Sequence, residues 1–121
     1  MARLEELSFE PRDDVLLARV KGEVDLSNVW SVKEQLLHAI PNTATALVLD
    51  LSDTGHLDSS GIRLIFELAE RLRSHGQKLR LVVPDGSVIS RVLMITEVHQ
   101  VVPISASVEA VLGDEVDDRS S

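Results

Sequence analysis

Apolar and polar positions fall into blocks along this chain. Leu7 and Phe9, and then Val15-Leu16-Leu17-Ala18-Arg19-Val20, predict two strands, and Asp13-Asp14 between them is a turn signal, so a hairpin is expected. Lys21-Gly22-Glu23-Val24-Asp25 closes the second strand. Ser27 or Asn28 then caps a helix to about Ile40, with Val29, Val32, Leu36 and Ile40 on its inner face, and Pro41-Asn42 stops it. Residues 45–51 have almost no polar interruption, the pattern of a strand buried on both faces. The turn Asp58-Ser59-Ser60-Gly61 follows. Behind it Ile62, Ile65, Phe66, Leu68, Ala69 and Leu72 recur at helical spacing, which predicts a helix from about Ser60 to Ser74 with His75-Gly76 as its stop. On its outer face Arg63, Glu67 and Arg71 stand four apart, the spacing for pairing along a helix. Leu79 to Pro84 reads as another strand. Asp85-Gly86-Ser87 caps a third helix carrying Val88, Val92 and Ile95 inward. Val101 to Ile104 reads as a short strand at a sheet edge, because Pro103 cannot donate to a ladder, and Ser107 starts a last helix to about Leu112.

Two strands followed by alternating helix and strand imply an α/β fold: a mixed sheet with parallel crossovers in a single domain. From Gly113 onward the chain is polar, and residues 114–121 are expected to be a frayed tail.

Composition narrows the chemistry. The chain has 121 residues, 44% of them hydrophobic but only 2% aromatic, so its core must be built from Leu, Val, Ile and Ala. With no cysteine, disulfides, thiol catalysis and cysteine-ligated metal are all excluded. The N-terminus shows no apolar signal-peptide core, and no apolar run approaches the ~20 residues of a membrane helix. A cytoplasmic location without membrane insertion is therefore expected. A net charge of -8 argues against a broad phosphate-facing surface, so nucleic acid is not an expected partner.

Asp58-Ser59-Ser60-Gly61 places two hydroxyls and a carboxylate where a loop becomes a helix. A serine there can cap the helix, act as a nucleophile or accept a phosphate. A nucleophile needs a base in reach. The histidines are His38, His56, His75 and His99; only His56 is close in sequence, and a residue on the same short loop rarely folds back to serve. The flanks are not those of a Gly-x-Ser-x-Gly elbow, and there is no phosphate-cradling glycine loop or metal-ligand spacing. The chain is thus not expected to be an enzyme. Taken alone, the tetrapeptide is an ordinary helix start.

The wider pattern changes that reading. Gly22-Glu23-Val24-Asp25, Leu47-Val48-Leu49-Asp50-Leu51-Ser52 and Leu57-Asp58-Ser59-Ser60-Gly61-Ile62 resemble the signature of STAS domains, in particular the stand-alone anti-sigma factor antagonists of bacteria. The resemblance runs from about Leu4 to Leu112, so residues 1–113 are expected to form the domain. It implies a mixed sheet of four to five strands with about four helices packed mainly on one side. It also implies partner switching. The unphosphorylated antagonist binds an anti-sigma factor that is also a serine kinase, which releases a sigma factor. The kinase then phosphorylates the first serine of the motif, here Ser59, and a serine phosphatase resets it. ATP and magnesium belong to the kinase, so the resemblance assigns this chain no cofactor and no metal.

Around Ser59, Ser60 is expected to be the helix cap. Gly61 is expected to allow a tight start to the helix and the approach of a partner backbone. Asp58 and Asp25 are expected to shape the loop and the docking surface. Asp50 does the same or caps the loop that follows it, and Arg63 and Glu67 offer a contact surface or an ordinary solvated face. One departure stands out. Many family members have a glycine-leucine step after the third helix, where this chain reads Ile95-Thr96-Glu97-Val98. STAS domains also serve as non-catalytic subunits of lipid-transport ATPase complexes or as stress-signalling scaffolds, which need no phosphorylation. That is the alternative reading.

Overall fold

The hairpin forms as its pattern predicts: Leu4–Arg12 (β1) pairs antiparallel with Val15–Val24 (β2), and Asp13 takes a positive φ of 54° in the turn between them. In this computed structural model, which describes residues 3–113, the chain continues through Val29–Ala39 (α1), Ala46–Asp50 (β3), Thr54–Leu57 (β4), Ser59–Ser74 (α2), Lys78–Val82 (β5), Val88–Ile95 (α3), a 3-10 turn at Val98–Gln100, Ile104–Ser105 (β6) and a helical segment at 108–113 (α4). The sheet runs in the order β1-β2-β3-β5-β6, parallel except for the hairpin. The expected tail over 114–121 lies outside the described residues.

β2 has two successive partners along one side. Val15 to Arg19 pair with β3, and Gly22 to Val24 pair with β4. β4 was not expected. It is four residues long and contains a glycine and an exposed histidine, so only Thr54 and Leu57 carry a burial signal. The Thr54 hydroxyl anchors it by donating to the Val20 carbonyl at 2.8 Å. This added strand brings the chain directly to Asp58.

The sheet is covered on both faces. On one, α1, α2 and α3 pack over Leu16, Ala18, Leu47, Leu49 and Leu81 through Leu36, Ile65, Leu68, Leu72 and Leu93. On the other, Val108 and Val111 of α4 cover Val15, Leu17, Ala46, Val48 and Val82. That explains the unbroken apolar run of β3, all five of whose residues are buried.

Several helix details differ from the pattern. Asn28 holds the N-cap position of α1, but its side chain does not cap; it turns back to accept from the Asp25 N–H at 3.1 Å and to donate to the Glu23 carbonyl at 2.9 Å. α2 ends as expected, with Gly76 at φ 72°, its N–H donating to Arg73 O and that of Gln77 to Leu72 O, the paired bonds of a Schellman motif. α3 is rotated from the expected face. Ile89 and Leu93 are buried, while Val88 and Ile95 are exposed and Val92 is only partly covered. The helix reads VISRVLMI, apolar on most sides, so two stripes fit its period and packing selects the other one.

After α3, Glu97 occupies the left-handed region at φ 63°, and Val98 behind it is fully buried. Both residues lie in the segment Ile95-Thr96-Glu97-Val98 that departs from the glycine-leucine step, and at Glu97 the backbone takes a shape a glycine would favour. An L-residue there carries a strain of about 1–2 kcal/mol, partly offset by glycine's greater freedom when unfolded. Glu97→Gly is accordingly expected to stabilise the fold by roughly 0.5–1 kcal/mol, read as a higher urea midpoint.

Candidate functional site

The end of β2 and the start of α2 meet around one carboxylate. Asp58, not Ser60, is the N-cap of α2. It accepts from the backbone N–H of Ser60 at 2.9 Å and of Gly61 at 3.1 Å through Oδ1, and the Ser60 hydroxyl donates to the same oxygen. The cap sits one residue before the helix, and Ser60 is already inside it, which is why the expected assignment fails. Oδ2 accepts from the Leu26 N–H at 3.2 Å, and the Asp58 N–H donates to Val24 O at 3.3 Å. Val24, in the Gly22–Asp25 block, and Leu26, just past it and 32 residues before Asp58, are thereby joined to the serine turn.

The Ser60 hydroxyl bond is the main reason the Asp58 carboxyl lies below its ordinary pKa. The amides of Gly61, Leu26 and Ser60 add to this, while partial burial opposes it. A folded-state pKa below the unfolded one means the fold prefers the ionised form. Its contribution is therefore complete above the unfolded value of about 4 and is lost as acid titrates the folded protein. Asp58→Ala is expected to cost about 1–2 kcal/mol near neutral pH and to flatten the fall in stability below about pH 4, as thermal unfolding across a pH series would show.

The two serines differ sharply. Ser60 is partly buried and its hydroxyl is engaged by Asp58. Ser59, the first residue of α2, is exposed, and among the described residues its hydroxyl has no hydrogen-bond partner. Gly61 is buried rather than open to a partner: a Cβ there would lie 3.1 Å from Leu57 Cδ2 and 3.4 Å from Val24 O. Its smallness lets the first turn of α2 sit on β4 and β2, which corrects the expectation of a partner-facing role.

The remaining residues divide into near and far. The Asp25 carboxylate accepts from the Ser27 N–H at 2.9 Å and from its hydroxyl, fixing the loop that carries Leu26. Asp50 lies apart from this group. It is buried at the end of β3, accepts from the Ser52 N–H at 2.9 Å and pairs with Arg19 at 3.4 Å, so it caps the following loop. Arg19, its register partner on β2, is five residues before Val24, or about 16 Å of strand.

Arg63 and Glu67 line a groove of about 740 Å³ between α1 and α2 that Ser59 also lines. Glu67 pairs across this groove with Lys33 of α1 at 3.2 Å, not along α2 with Arg63 or Arg71. Beside it stand Leu26 and Trp30, 73% and 74% exposed, around a smaller hollow shared with Ser60 and Arg63. Lys33 lies 5.8 Å from the Trp30 ring centre. Leu26, Trp30 and Lys33 were not singled out from the sequence. The signal was there for Trp30, a large apolar residue outside the inward stripe of its helix.

An exposed, unengaged hydroxyl thus stands at the start of α2, with the bare side chains of Leu26 and Trp30 around the neighbouring hollow. No histidine lines the groove with Ser59. The chain belongs to the STAS domain family, whose profile matches residues 6–111. The anti-sigma-F factor antagonist RsfB of Mycobacterium tuberculosis is 32% identical over 78 residues, which cover 64% of this chain and 62% of that protein. The chain therefore matches less than two thirds of that relative's length. An anti-sigma factor antagonist from Mycobacterium paratuberculosis shares the fold at a TM-score of 0.80 and 21% identity, covering 90% of this chain and 92% of that one. The phosphorylated form of the Bacillus cell-fate determinant SpoIIAA shares it at 0.66 and 19%, covering 92% and 99%. Among the described residues no helix is long and apolar enough to cross a membrane.

Proposed function

We propose that this chain is an anti-sigma factor antagonist that works by partner switching, with Ser59 as its phosphorylation site. The unphosphorylated form binds an anti-sigma factor that is also a serine kinase, and a sigma factor is released. The kinase transfers the γ-phosphoryl group of its ATP to Ser59 Oγ; ADP leaves and the hydroxyl proton passes to a base on the kinase. A serine phosphatase returns the hydroxyl by hydrolysis. The chain itself catalyses none of these steps, in keeping with a family that is generally non-enzymatic.

One observation carries this reading: Ser59 is exposed and unengaged while Ser60, beside it, is tied to Asp58. A kinase meeting this surface finds one hydroxyl able to enter its active site. The docking face we assign to the partner comprises the helix start, the groove residues Arg63 and Glu67, and the exposed Leu26 and Trp30. An exposed tryptophan beside an apolar neighbour is the kind of side chain that anchors an interface. Within it Asp58 and Asp25 hold the loop geometry through the bonds described above.

The test is to incubate the protein with its cognate anti-sigma kinase and ATP and to locate phosphate by mass spectrometry. Phosphate on Ser59, and none on Ser60, is expected. A protein that binds the partner yet is not modified there favours a non-catalytic subunit or scaffold.

A further inference from the structure

We propose that Arg63 is an intramolecular receptor for a phosphoryl group on Ser59, with Lys33 as a second cation. The inference rests on the reading above only in taking Ser59 as the residue that carries phosphate.

Ser59 and Arg63 are four apart in α2, both exposed and both lining the groove against α1. Side chains of a helix lean toward its N-terminus, so residue i+4 reaches back over residue i. Arg63 therefore has Ser59 in its path. Among the described residues Arg63 has no ion-pair partner, although the chain carries a net charge of -8. Lys33 enters the same groove from α1, held there by Glu67 at 3.2 Å.

Much of the helix start is already committed. The Asp58 carboxylate already takes the amides of Ser60 and Gly61 and that of Leu26. A phosphate on Ser59 would bring about -1.5 to -2 further charges beside Asp58 and within the same groove as Glu67. Arg63 is the cation placed to offset them, and its planar fork matches two phosphate oxygens at once. Capture has a consequence for switching. The modified protein would withdraw both the Ser59 hydroxyl and the Arg63 charge from the docking face, while the fold at the helix start stays intact.

Phosphoserine can be placed at position 59 during synthesis, without any kinase, and its ³¹P resonance followed against pH. The second phosphate pKa is expected below its ordinary value of about 6, and R63Q is expected to raise it by roughly one unit. R71Q, two turns further along the same groove, is expected to leave it where it was. Identical values with and without R63Q would overturn the proposal, and so would equal shifts from R63Q and R71Q, which would mean diffuse charge rather than capture. The measurement involves no partner, so a failure here leaves the partner reading untouched, and a failure to find a partner leaves this result untouched.

Discussion

Gly22→Ala is expected to destabilise the fold by about 3 kcal/mol or more, a large part of the 5–15 kcal/mol typical of a domain. Gly22 has φ 111°, which L-residues rarely adopt. A Cβ there would lie 2.5 Å from the Arg3 carbonyl oxygen and 2.7 Å from the Glu5 nitrogen, both backbone atoms that no rotamer change can move. The pairing shifts register here on both sides of β2, between Leu4 and Glu6 in β1 and between Gly22 and Glu23 toward β4. This irregularity aims Val24 and Asp25 at the start of α2. The loss would appear as a urea midpoint lowered by a third or more, or as failure to accumulate folded protein. A change under 1 kcal/mol would mean that the strand relaxes around the methyl group and that the glycine is not what sets its course. The glycine of the Gly-Glu-Val-Asp block is on this account a backbone requirement, and its link to function is indirect.

Ser59→Asp is expected to weaken binding to the cognate anti-sigma factor at least 100-fold, which is about 2.7 kcal/mol, without lowering the unfolding temperature appreciably. The asymmetry follows from where the residue sits. Ser59 is exposed and its hydroxyl makes no hydrogen bond among the described residues, so a carboxylate there breaks no bond of the folded chain and has Arg63 in the same groove to offset it. In a docked complex the same charge is removed from water next to Asp58, which is already ionised and committed. Ser59→Ala is expected to bind normally and to resist switching off. Equal binding by the aspartate variant and the unaltered protein would show that charge at this point does not govern the interface.

Much of the fold was legible because its signals are local and redundant. The β3 strand announces burial on both sides by having almost no polar residue, and the second core beneath α4 is the reason. The hairpin and the end of α2 each carry a turn or stop residue where the structure needs one. What sequence could not settle depended on choices between equivalent local patterns. α3 has two apolar stripes, and only contact with the sheet selects Ile89 and Leu93. Asp58 and Ser60 are both good caps, and only the position of the first helical residue decides between them. β4 is held by its pairing to a distant strand and by one threonine hydroxyl, so it leaves almost no periodic trace. The site divided likewise. The serine turn at the start of α2 followed its motif, while its junction with the end of β2 through Val24 and Leu26 came with the fold. The outlying place of Asp50, the inward role of Gly61, and the contribution of Leu26, Trp30 and Lys33 needed the folded chain.

The central claim is that one covalent group on Ser59 turns a protein interface off while leaving the fold in place. Its most direct test is calorimetric titration of the cognate anti-sigma factor with two preparations of this protein, one bearing a free hydroxyl and the other phosphoserine at position 59. The account predicts tight binding by the first and at least a 100-fold loss by the second, with matching circular dichroism and unfolding temperatures. Equal affinity of the two forms would contradict it.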